Sequence, residues 1–315
     1  MSPTNLFCDV SLAARVERAD CQLLADAAAV AARRLDGVLA LPLGGGFVSY
    51  AEPGSPLNKI AGLGFAPLEL SDLAAVEARL HARGCPVQVE LCSLADPTIG
   101  QALTRRGYVL MGVEQVLGRQ ITAADAHAAR PDGVTVAESP PAELDLWLHT
   151  LTTGFLTADG QGVPSHETFE QDTLTRSMRD FVQADGMVRL TATVDGQPAG
   201  GASVRLTDNI AQLCGAATLP ALRRRGVQTA LLVERLALAA RSGAELAVIT
   251  TMPGSRSMQN AQRRGFVPLY VRMMLVLASE SVCRRPPRSS CRFSCSRPAQ
   301  RPGVWRPRLG SPPSS

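Results

Sequence analysis

One pattern occurs twice and limits the fold more than any other feature. In the first third of the chain, a helix over 71–83, a strand over 86–92, a helix over 97–106 and a strand over 109–120 follow one another, and Arg-Arg-Gly-Tyr (105–108) joins the last two. Further on, the same order reads as a helix over 227–242 stopped by Gly243, a strand over 245–251, a helix over 255–264 and a strand over 267–277, joined by Arg-Arg-Gly-Phe (263–266). The helices carry 3.6-residue apolar periodicity and the strands are short apolar runs. A repeat of this kind predicts two related α/β units in tandem.

The Ala-rich segment 121–133 ends in a Pro-Asp-Gly turn and reads as the linker between units at 1–120 and 134–280. Ahead of its repeat, the second unit has two expected helices (140–156 and 165–181) and then a meander of strands at 187–194, 199–206 and 210–218. Asp-Gly and Asp-Asn turns between alternating runs are hairpin signals. The predicted fold class is α/β with mixed α+β layers, each unit having a mixed central sheet flanked by helices.

From Ser281 onward the chain is rich in Pro, Arg and Ser, with eight arginines and no acid. Removing those eight from the chain's 32 basic residues leaves 24 against 28 acidic, a net of −4 for the body. General attraction to nucleic acid is not expected of a mildly acidic body. The tail reads as a disordered appendage, with a basic arm for nucleic acid as the alternative.

The N-terminus lacks a basic start followed by an apolar run, and "FVPLYVRMMLVLA" is too short to span a bilayer and carries Arg272. The eight cysteines form no C-x-x-C pair. No metal site, no membrane association and a reducing cytoplasm are therefore expected.

"LPALRRRGVQTALL" runs from a strand end near Thr218 into a helix starting near Val227. A helix start presents unpaired N–H groups and the positive end of the helix dipole, and a glycine lets an anion approach them. Arg223, Arg224 and Arg225 can add charge-assisted contacts. The competing reading is surface arginines on an ordinary loop. The stretch is neither a P-loop nor a dinucleotide-binding turn.

Together with "AVITT" and "SMQNAQRRGF" downstream, this stretch resembles the acyl-CoA-binding half of the GNAT superfamily of N-acetyltransferases, over about 134–278. The family signature, Gln/Arg-x-x-Gly-x-Gly/Ala, is met by Arg223 and Gly226, whereas Gln228 departs from it at the last position. The resemblance implies two tandem GNAT-like domains and a pyrophosphate on the backbone of Arg224, Arg225, Gly226, Val227, Gln228, Thr229 and Ala230. It also implies a pantetheine arm along Ala216, Ala217 and Thr218, with Ser257 and Asn260 near the coenzyme. The first unit resembles a degenerate copy, with Glu69 and Asp72 where the cradle would be and no glycine at the helix start. "LGGGF" (43–47) precedes a strand-like run and reads as a turn.

The resemblance further implies acetyl-CoA as cosubstrate, direct attack on the thioester by a small-molecule or protein amine, and backbone donors that polarise its carbonyl. The family's usual tyrosine acid falls on Ala261, and Tyr270 is the nearest substitute. Candidate bases are Glu167 and Glu170 beside His166, with a solvated helix face as the alternative. His149 and Cys214 read as packed residues. A non-catalytic acyl-CoA sensor is the competing function, and a homodimer is allowed.

Overall fold

The computed structural model describes residues 6–157, 160–163, 165 and 167–278. The expectations placed on His166 and on the tail from Ser281 lie outside them. The first unit contributes α1 (Val10–Ala31), β1 (Leu39–Leu43), β2 (Gly46–Tyr50), β3 (Lys59–Ala61), α2 (Leu70–His81), β4 (Val87–Cys92), α3 (Pro97–Arg105) and β5 (Val109–Gln120). The second contributes β6 (Val134–Glu138), α4 (Leu144–Leu156), α5 (Gln171–Phe181), β7 (Met187–Val194), β8 (Gln197–Thr207), β9 (Ile210–Thr218), α6 (Val227–Arg241), β10 (Leu246–Thr251), α7 (Arg256–Arg263) and β11 (Val267–Leu277).

Among the described residues there is, instead of two sheets, one sheet of eleven strands in the order β1-β2-β3-β4-β11-β5-β10-β9-β8-β7-β6. The final strands of the two units have changed places. β5 of the first unit lies between β10 and β11 of the second, and β11 lies between β4 and β5 of the first. Arg272 faces Glu114 on one side and Cys92 on the other, and Thr251 of β10 faces Gln115. Neither unit closes its sheet without the other, so the interface is backbone hydrogen bonding as well as packing.

The alternation of side chains along the central strands assigns the helices to faces. Val87, Val89 and Leu91 of β4 and Leu275 of β11 bury against α2 and α3, and Leu117 of β5 buries against α6 and α7. On the opposite face, Val116, Val248 and Tyr270 bury against α1, while Trp147 and Leu151 of α4 pack on Ala217. This front face carries α1, α4 and α5. α1 is an element beyond those expected from the sequence. Asp9 caps it by accepting from the Leu12 N–H at 2.8 Å, and its alanines let it lie close on the sheet.

The segment between the units is packed. Thr122 and Asp125 form a capping box, Arg130 pairs with Glu234 of α6, and Pro131 lies against Gly226. Among the described residues no helix is long and apolar enough to cross a membrane.

Candidate functional site: a parted strand pair and a glycine-led helix

β9 and β10 run parallel, but their register covers only Ile210–Gln212 against Leu246–Val248. Beyond it β9 continues to Thr218 and β10 to Thr251 with no pairing between them. A gap therefore opens at the carboxyl ends of two adjacent parallel strands, the usual place for a ligand in such sheets. β9 is kinked at the same level. Ser203 of β8 faces Cys214 and Ala202 faces Ala216, which leaves Gly215 bulged at φ 23° and exposed. A Cβ on Gly215 would meet Leu151 and Phe155 of α4 at 3.7–3.8 Å, so those side chains wall the front of the gap.

At the top of the gap, a short 3-10 turn (Pro220–Leu222) leads to Gly226, the N-cap of α6, at φ 81°. This left-handed conformation suits glycine, and a Cβ there would come within 3.0 Å of Pro131. Gly226 offers no side-chain cap to α6, so the first turn keeps its N–H groups for another acceptor. The first unit lacks this geometry. α2 follows Glu69 at an ordinary φ of −80°.

The three arginines do not act alike. The Arg223 guanidinium turns back to the carbonyls of Gly154 and Thr157 at the end of α4. Arg225 pairs with Asp195 at 2.8 Å on the surface. Arg224 is exposed, with φ 65°. Ala216, Ala217 and Thr218 lie on the end of β9 that β8 pairs and β10 does not, and Val227, Gln228, Thr229 and Ala230 form the first turn of α6. Ser257 and Asn260 sit on α7, directly after the β10 end. The glycine at 162 approaches so closely that a Cβ on it would lie 2.8 Å from the Ser255 backbone, and the Val163 N–H donates to the Pro253 carbonyl at 3.2 Å. Gly162 and Val163 thus lie against the turn that follows β10, beside the gap.

Other sequence candidates lie elsewhere. Tyr270 is buried on β11, two strands from β10, and donates to Glu17 Oε1 at 2.7 Å. Burial and then the Glu17 charge push its hydroxyl well above the usual tyrosine range. Ala261 is fully buried between α7 and α6. α5 starts at Gln171, later than the sequence suggests, so Glu170 stands at its N-cap position without a capping hydrogen bond and Glu167 precedes it, accepting from Gln88 Nε2 of β4 at 3.3 Å. Burial and then Asp20 raise the Cys214 thiol to about 12, so it stays protonated.

The sequence reading missed a buried ionic cluster on the front face where the exchanged strands meet. Lys59, the only lysine, lies 2.6 Å from Glu90, and Arg272 reaches Glu17 at 2.8 Å, Asp20 at 3.1 Å and Glu114 at 3.9 Å. Burial works to raise the Glu90 carboxyl, but Lys59 and Arg272 hold it below the ordinary carboxylate range. Glu114 is raised to about 7, by burial and then by Glu90, against the pull of Arg272 and Lys59. A cavity of about 180 Å³ lies beside the cluster, lined among others by Asp20, Lys59, Leu24, Met178 and Phe181. Isolated charges inside apolar strand runs, Glu90, Glu114 and Arg272, are the sequence trace of this cluster.

Residues 156–266 match the model of the Acetyltransferase (GNAT) family. These residues are therefore similar to a GNAT acetyltransferase domain. A GCN5-related N-acetyltransferase from Kribbella flavida is similar in structure at TM-score 0.57 and 18% identity, covering 84% of this chain and 95% of that one. A tandem GNAT protein from the clavulanic acid biosynthesis pathway is similar at TM-score 0.53 and 14% identity, over 84% and 95%. A functionally unknown conserved protein from Staphylococcus epidermidis is similar at TM-score 0.53 and 14% identity, over 79% and 97%. No curated protein matches the sequence. The neighbours show a tandem GNAT fold, and the GNAT match supports acyl transfer as the chemistry. The matched residues include the parted strands and the glycine-led helix. Among the described residues no group of three or more His, Cys, Asp or Glu side chains could hold a metal.

Proposed function

We propose that the protein is an acetyl-CoA-dependent N-acetyltransferase in which an acceptor amine attacks the thioester directly in a ternary complex. The observation that carries this reading is the gap between β9 and β10 beneath the left-handed Gly226 that opens α6. Pyrophosphate would lie on the first turn of α6, and the pantetheine arm along Ala216–Thr218. The thioester would sit at Gly215, its acyl group toward Leu151 and Phe155. Acetyl-CoA is the cosubstrate that family likeness supports.

The acceptor side is the front face beside the gap. Glu114 stands one residue past the position facing Thr251, on a strand supplied by the first unit. With its carboxyl raised to about 7, it is suited to take a proton from an approaching ammonium near neutral pH. In this reading the first unit, without a cradle of its own, completes the acceptor site of the second.

A non-catalytic acyl-CoA sensor is favoured by one observation. The family's acid position is a buried alanine, and Tyr270 is bonded to Glu17. The test is to incubate the protein with acetyl-CoA and a panel of small amines and peptides, following release of free thiol, with calorimetry of coenzyme binding in parallel. Turnover on any amine supports the transferase. Binding without turnover supports the sensor, and absence of binding contradicts both.

A further inference from the structure

α6 carries a cation where a central helix packed on a sheet would ordinarily carry an aliphatic residue. Arg235 is 2% exposed, and no carboxylate pairs with it among the described residues. Its neighbour Glu234 is taken up by Arg130 and Arg241. Burial alone pulls the guanidinium down, yet only to about 10, so it stays charged at neutral pH. Its hydrogen bonds go to backbone carbonyls: Nε to Leu231 at 3.3 Å, Nη1 to Cys214 at 3.3 Å and to Ser203 at 3.5 Å. Burying an unpaired charge costs stability, and an apolar residue of similar size would serve packing better.

The two strand carbonyls belong to the register pair at the bulge, Ser203 and Cys214. The Cys214 carbonyl also accepts from Ser203 Oγ at 3.4 Å, which places it on the β8 side of β9. In a planar trans peptide the N–H points opposite to the C=O. The N–H sharing a peptide with this carbonyl is that of Gly215. It therefore points away from β8, toward the position that β10 vacates beyond Val248. A carbonyl held by a charged donor draws electron density through the amide and makes the N–H on its far side a stronger donor.

We propose that Arg235 is a positioning residue for acyl transfer: from behind the sheet, its charge fixes and polarises the Cys214–Gly215 peptide so that the Gly215 N–H binds the thioester carbonyl. The inference rests on the acyl-CoA reading of the gap and adds a residue outside the coenzyme contacts. When the amine attacks, the carbonyl oxygen takes up the electron pair of its π bond, and the same N–H holds that oxyanion. The oxyanion then re-forms the C=O bond, the C–S bond breaks, and the proton lost by the newly bonded nitrogen neutralises the departing coenzyme thiolate. The guanidinium exchanges no proton and no bond with the substrate.

Binding of two ligands that differ only at the carbonyl isolates this effect from turnover. The intact protein is titrated with acetyl-CoA and with S-ethyl-coenzyme A, in which a methylene replaces the carbonyl. The unsubstituted protein is expected to prefer acetyl-CoA by about tenfold. In Arg235→Met the preference should fall to near one, with S-ethyl-coenzyme A affinity and melting temperature maintained. Arg235→Lys, with one compact cation, should retain part of it. A purely structural clamp would lower melting temperature and both affinities together and leave their ratio unchanged. An unchanged ratio in folded Arg235→Met, or in Arg235→Lys if the methionine variant does not fold, overturns the proposal. So does a ratio near one in the unsubstituted protein. Failure of either ligand to bind at all overturns the acyl-CoA reading itself, a separate result.

Discussion

Arg272 on the last strand of the second unit lies 2.8 Å from Glu17 on the first helix of the first. Both side chains are at most 5% exposed, and burial works to raise Glu17 against the pull of this cation. Removing one partner of a buried pair leaves the other charged and unpaired. Arg272→Met is therefore expected to cost about 3–5 kcal/mol in chemical denaturation. A cost under about 1 kcal/mol would mean that the cluster is dispensable.

The strand exchange predicts that the units do not fold apart. A fragment of residues 131–278 lacks β5, which separates β10 from β11. Expressed alone it should be aggregated or lack cooperative unfolding, and co-expression with residues 6–130 should restore a soluble complex. Calorimetry of the intact chain should give one transition. A monomeric, cooperatively unfolding 131–278 fragment would contradict this.

Glu114 ties stability to pH. Its carboxyl is raised from an ordinary 4.5 to about 7, so between those values the folded chain holds a proton that the unfolded chain has released. Stability from this group is present below about 4.5 and is lost as pH rises through about 7. Glu114→Gln removes the titration. Melting temperatures from pH 4.5 to 8 should show the variant gaining on the unsubstituted protein as pH rises, and under the proposed function its turnover should fall at least tenfold. Parallel melting curves would contradict the assignment.

Arg223 and Arg224 should separate. Arg223 serves the end of α4, so Arg223→Met is expected to cost about 1 kcal/mol of stability with at most a few-fold loss of coenzyme affinity. Exposed Arg224 lies at the cradle. Arg224→Glu should weaken coenzyme binding about tenfold at low salt and less at 0.5 M salt, through screening. Equal affinity losses for the two variants would argue against this division.

The repeat, the meander and the glycine-led α6 are legible in the sequence because periodicity, turn residues and a glycine at a left-handed position are local signals. The exchange of β5 and β11 is not legible. Both follow an Arg-Arg-Gly-aromatic join and both are long apolar strands, so nothing local says which unit each one completes. Glu114, Glu90 and Lys59 stand far apart in the sequence and become a cluster only when β3, β4, β11 and β5 lie side by side. Arg235, next to Glu234 in "LLVERLALAAR", reads as a surface charge pair until the helix is seen to turn it under the sheet. α1 stayed hidden because the alanines spread along it weaken the apolar periodicity on which a helix is recognised.

The central claim, that the gap under Gly226 holds an acyl-CoA, is tested most directly by calorimetric titration of acetyl-CoA into the unsubstituted protein and Gly226→Val, with melting curves confirming that both are folded. The account predicts one site per chain in the former and at least about a hundredfold weaker binding in the variant, whose side chain would meet Pro131 at a left-handed φ. Equal affinity in the two proteins would contradict it.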